Sequence, residues 1–161
     1  MNAGNKLRER LEKCHGSRTV ILGIGNTLKG DDGAGPGLCD RLAGRTSVDA
    51  VDAGTVPENH VGPLVKKAPQ NLLIVDAVDF GAPPGTIRIL APDELSGLSG
   101  STHSPSPRLF IDLVREDIPV EVFFIGIQPA QTELGRPFSP EVERAVDVLA
   151  DILSDIFPPE T

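Results

Sequence analysis

A chain of 161 residues is sized for a single domain that buries roughly 70% of the surface its unfolded form exposes. Its formal charge of -8 and pI of about 4.8 speak against a binder of nucleic acid or of anionic membrane, both of which reward clustered lysine and arginine. No run approaches the ~20 apolar residues of a membrane span, and the opening MNAGNKLRERLEKCHG is basic without an apolar secretory core, so a cytoplasmic protein is expected.

The elements are read in chain order. Residues 1–17 form an N-terminal extension with a short basic helix around Leu7 and Leu11, ahead of a main body at residues 18–157. Cys14 and Cys39 lack C-x-x-C spacing and read as ordinary thiols. TVILGIG is the first strand, and Gly35-Pro36 opens a helix to about Arg45. VDAVDAG is the second strand; in the following TVPE, Thr55 and Glu58 have capping-box spacing, which predicts a helix through Lys67. NLLIVDAV is the third strand. Helical crossovers between these strands make them parallel in the order second, first, third, with their carboxyl ends at one edge. Only nine residues separate Asp76 from Thr86, too few for a helical crossover, so GTIRIL is expected to be antiparallel or at a sheet edge. Ser104-Pro105 starts a helix through Glu116, which leads into the strand VEVFFIGI. Ser139-Pro140-Glu141 caps a long helix whose apolar residues Val142, Ala145, Val146, Leu149, Ile152, Leu153 and Ile156 recur every three or four positions. The alternation predicts one α/β domain with a mixed sheet.

Chemistry-bearing residues gather at the carboxyl ends of the predicted parallel strands. LGIGNTLKGDDGAG resembles a dinucleotide cradle at Gly23 and Gly25, but Leu28 stands in place of the third glycine and an acidic pair would repel a pyrophosphate. Asp31 and Asp32 follow the first strand, and Asp76 ends the third, where open α/β sheets bind ligands. One aspartate of the pair is assigned a structural role and the other a functional one. His15 and His60 are expected to face solvent. His103, in the small-residue loop GLSGSTHSPSP, has little core around it to explain it. Two carboxylates and an imidazole suit a divalent transition ion with positions left open. A magnesium-dependent phosphoacceptor domain also places acids after the first and third strands, but needs a lysine after the last central strand; no basic residue lies between Val120 and Leu134.

GIGNTLKGDDGAG, DAGTVPEN, LLIVDAVDFGAPPGTIRI, STHSP and FFIGIQP, in this order and spacing, resemble the nickel-iron hydrogenase maturation endopeptidases, and most of all the HycI branch, over about Val20 to Leu153. The resemblance implies an α/β/α sandwich with a twisted, mostly parallel five-stranded sheet. It also implies a single cleavage that removes the C-terminal extension of a hydrogenase large-subunit precursor once nickel is inserted. Asp32, Asp76 and His103 carry over as catalytic, metal-contacting positions, while Asp52 and Gly54 shape the cleft. The nickel is carried by the precursor, and the free enzyme is expected to be metal-free or to hold a surrogate divalent ion. The precursor is the expected partner and a monomer the expected state. A chaperone that senses nickel without cutting stands as the alternative in a different class.

Overall fold

The computed structural model describes residues 3–96, 98 and 106–161. The elements run α1 (Ala3–Glu12), β1 (Thr19–Ile24), a single 3-10 turn (Gly30–Gly33), α2 (Ala34–Leu42), β2 (Asp49–Gly54), a second 3-10 turn (Pro57–His60), α3 (Val61–Lys67), β3 (Asn71–Ala77), β4 (Ile87–Leu90), α4 (Pro92–Leu95), α5 (Pro107–Asp117), β5 (Glu121–Ile127) and α6 (Pro140–Ile156). The strands form one sheet in the order β2-β1-β3-β5-β4. β1 pairs in parallel with β2 and β3, and β3 in parallel with β5; only β4 is antiparallel, against β5. The mixed, mostly parallel sheet read from the sequence is thus present, and the four parallel strands point their carboxyl ends to one edge.

Strand side chains alternate between two cores, as the period-two geometry of a doubly covered sheet requires. Ile21, Leu73, Val75, Ile125 and Ile127 face α1, α2 and α6. Val20, Leu22, Leu72, Ile74 and Phe124 face α3, α4 and α5. The three-layer α/β/α sandwich follows directly. All seven residues of the apolar stripe expected in α6 are buried.

Three local readings are corrected. Residues 3–12 are part of the folded body: Leu7 is 6% exposed, Leu11 and Cys14 are fully buried, and all three belong to the core beneath α6. The helix predicted from the TVPE spacing begins as a 3-10 turn with Val56 at its cap and no side-chain cap bond, and the α-helical part starts only at Val61. Proline at position 57 fits that first turn, but the box is one residue out of register with the cap. The cap of α5 is Ser106, whose Oγ accepts the Leu109 N–H at 3.2 Å, with Pro107 next; the SPSP repeat offers two equivalent starts and the second is used.

Both cysteines are buried free thiols. Burial pushes each up to about 11, helped by Glu121 at Cys14 and by Asp52 and Asp40 at Cys39. No helix among the described residues is long and apolar enough to cross a membrane.

Candidate functional site

The site is built from the loops that leave β1, β3 and β5. β1 runs out through Gly23 and Gly25, and two close approaches explain why the chain carries glycine here. A Cβ on Gly25, whose φ is +148°, would lie 1.8 Å from the Asp32 carbonyl oxygen. A Cβ on Gly35 would lie 2.5 Å from the Ile24 N and O and the Val75 O. α2 is thereby pressed onto the ends of β1 and β3, and the 3-10 turn Gly30–Gly33 that precedes it is brought over the same edge.

The acidic pair in that turn divides as the chemistry requires. Asp31 is fully buried and its carboxylate accepts four hydrogen bonds: the Ala130 N–H at 2.9 Å, the Gln131 N–H at 3.2 Å, the Ser139 N–H at 2.7 Å and the Ser139 Oγ–H at 2.8 Å. Its own N–H donates to the Gln131 carbonyl at 3.0 Å. One carboxylate therefore joins the loop after β1, the loop after β5 and the cap of α6. Asp31 is the structural member, and its buried charge is offset by the donors around it.

Asp32 is half-buried, and its Oδ2 accepts the Asn26 N–H at 2.9 Å, which fixes the carboxylate over the end of β1. Asp76 is half-buried at the end of β3, paired in register with Gly126 of β5. Burial first, and then the neighbouring Asp32 carboxylate, hold the Asp76 carboxyl well above the usual carboxylate range, against the opposing pull of the Ala77 N–H. The two aspartates are thus electrostatic neighbours, as expected for side chains from the ends of adjacent strands. A carboxyl that resists ionisation beside another acid is a common arrangement at catalytic and metal-accepting centres.

His103 lies outside the described residues. Among the described residues no three histidine, cysteine, aspartate or glutamate side chains come together as a metal site. By strand alternation Asp76 has the parity of Leu72 and Ile74, which face α5, and His103 precedes the α5 cap by three residues in sequence. His15 is exposed and its Nδ1 lies 2.8 Å from the Ile156 carbonyl; His60 is only partly exposed. His15 precedes β1 at the opposite edge, whereas His60 ends the 3-10 turn that follows β2 and so belongs to the carboxyl edge.

One buried polar residue at this edge escaped the sequence reading. Gln128 is 6% exposed; its Oε1 accepts the Phe80 N–H at 2.8 Å and the Ala82 N–H at 3.2 Å, and its Nε2 donates to Asp79 at 3.1 Å. It pins the loop that follows Asp76 against the end of β5. Its position directly after an apolar strand, ahead of a proline, is the only trace it leaves in the sequence.

Residues 37–156 match the model of the HycI hydrogenase maturation protease family. The chain is 38% identical over 133 residues to the hydrogenase 3 maturation protease of Escherichia coli K12, covering 81% of this chain and 85% of that protein. It is similar in structure to a [NiFe] hydrogenase maturation protease HycI from Thermococcus kodakarensis, with a TM-score of 0.83 at 31% identity over 91% of this chain and 97% of the other. A solution structure of the endopeptidase HycI from Escherichia coli superposes with a TM-score of 0.77 at 35% identity, over 89% of this chain and 96% of the other.

Proposed function

The chain belongs to the HycI hydrogenase maturation protease family, a family of hydrolases, and from that premise we propose that it removes the C-terminal extension of a [NiFe] hydrogenase large-subunit precursor after nickel has been inserted. Asp32, Asp76 and His103 meet the precursor's nickel. Carboxylate oxygen and imidazole nitrogen suit this ion, and the observation that carries the reading is the pairing of Asp32 with an Asp76 whose ionisation is held back. An empty precursor would leave these polar groups without a partner, and groups of this kind discriminate by several kcal/mol when a ligand fails to satisfy them. Family membership decides against the phosphoacceptor alternative.

The chain's own residues divide the work. Asp32, held by the Asn26 N–H, orients toward the substrate. In its ionised form Asp76, whose raised proton affinity makes it a stronger base than an ordinary carboxylate, is suited to take a proton from the attacking water and to return it to the amine nitrogen as the peptide C–N bond breaks. Asp31 and Gln128 keep the flanking loops in place and touch no reacting group in this scheme.

Asp76→Asn and His103→Ala test the assignment by measuring binding of nickel-loaded precursor and its cleavage separately. Weakened binding of the loaded precursor, together with cleavage of the bound form reduced at least about 10²-fold, is the expected result, in keeping with loss of both a nickel contact and a general acid or base. Cleavage by both variants at the wild-type rate would overturn the site. Wild-type protein that binds the loaded precursor and never shortens it would leave the chaperone reading.

A further inference from the structure

Five large apolar side chains are exposed among the described residues, and three of them stand on one edge. Leu28 (67% exposed) follows β1, Val56 (41%) follows β2 and Leu134 (76%) follows β5, so all three project from loops at the carboxyl ends of parallel strands, the edge that carries Asp32 and Asp76. Singly exposed leucines are ordinary on protein surfaces. These two leucines are not separate, because the Gly135 N–H donates to the Leu28 carbonyl at 2.8 Å and so ties their loops together at the tips.

The strand order gives that tie its meaning. β1 and β5 are not neighbours; β3 lies between them. The loops after β1 and β5 therefore bridge across the end of β3, the strand that ends in Asp76. They are held at their base by Asp31, through Ala130 and Gln131, and at their tips by the Leu28–Gly135 bond. Two exposed aliphatic side chains on loops already tied together lose less conformational freedom when a partner covers them than side chains on free loops would.

We propose that Leu28 and Leu134, with Val56 as a third point, form the docking surface for an aliphatic segment of the large-subunit precursor next to its scissile bond. The inference rests on the assignment of that precursor as substrate. The apolar tips and the two carboxylates thus belong to loops and strand ends on one edge of the sheet. They supply binding energy that is independent of nickel, while the carboxylates supply the selection for loaded substrate. The other two exposed residues, Leu109 and Val148, lie on α5 and α6 and serve as controls.

The test uses steady-state cleavage of each nickel-loaded [NiFe] large-subunit precursor encoded in the source genome. Leu28→Ser and Leu134→Ser are each expected to raise KM about tenfold and the double substitution about a hundredfold, with kcat within about twofold of wild type. Leu109→Ser and Val148→Ser are expected to change neither. Unchanged KM in the double variant would overturn the docking surface while leaving the enzyme assignment intact. Failure of wild-type protein to cut any loaded precursor would instead remove the assignment and the inference with it. If the leucines served a second copy of this chain, sedimentation would show a dimer that the double substitution dissolves, with KM unmoved, and that too would overturn the proposal.

Discussion

Asp76 has a thermodynamic signature apart from catalysis. A group whose folded-state pKa is raised stabilises the fold fully below its ordinary value of 3.8 and loses that contribution as pH rises through the folded value. At neutral pH the burial of Asp76 beside Asp32 is consequently a cost. Asp76→Asn is expected to raise Tm by a few degrees at pH 8, with the advantage shrinking toward pH 4, while cleavage is lost; a thermal melt series over that range checks it. Asp31 acts through its hydrogen bonds. Asp31→Ala strands four donors and is expected to cost about 3 kcal/mol or more in a denaturant titration, although the residue touches no substrate. The reading of one structural and one functional aspartate in the glycine loop is met on its structural side by Asp31. The sequence could not show that Asp31 reaches residues 130, 131 and 139, since bonds of that sequence separation leave no local pattern.

Elements were legible where one periodicity dominated. α6 carries a capped serine and an unbroken stripe, and Ser139 does accept the Val142 N–H, although at 3.4 Å, while its hydroxyl proton goes to Asp31. The cap that looked purely helical is shared with the loop after β1. Ser139→Ala is therefore expected to destabilise by about 2 kcal/mol, more than the ~1 kcal/mol usual for a lost cap. The start of α3 was misread because capping-box spacing is a local preference, and packing at this edge selected a 3-10 turn with Val56 at the cap. Gly35 tests the close contact that sets the site. Gly35→Ala forces a Cβ against backbone atoms of both β1 and β3, which cannot rotate away, and is expected to cost about 3 kcal/mol and to slow cleavage by displacing the turn that holds Asp32. A stable, fully active Gly35→Ala protein would contradict this placement.

For the whole molecule, topology followed from a few physical constraints: helical connections impose parallel strands, and a nine-residue gap forbids a crossover. The doubly covered sheet then sets the carboxyl edge as the site. The N-terminal segment lies outside the resemblance, which begins at about Val20, yet Leu7 and Leu11 seat α1 beneath α6. Removing residues 1–15 is expected to cost about 3 kcal/mol, the burial of Leu7, Leu11 and Cys14 offset by the ordering of the helix, and to leave the carboxyl edge and KM unchanged below Tm. The meeting of Asp32 and Asp76 with nickel carried by another protein is the claim from which the specificity account proceeds. Incubating the purified chain with large-subunit precursor, with and without inserted nickel, and weighing the intact products tests it most directly. Loss of the C-terminal extension from the loaded form alone is predicted; equal cleavage of the empty form would contradict the account.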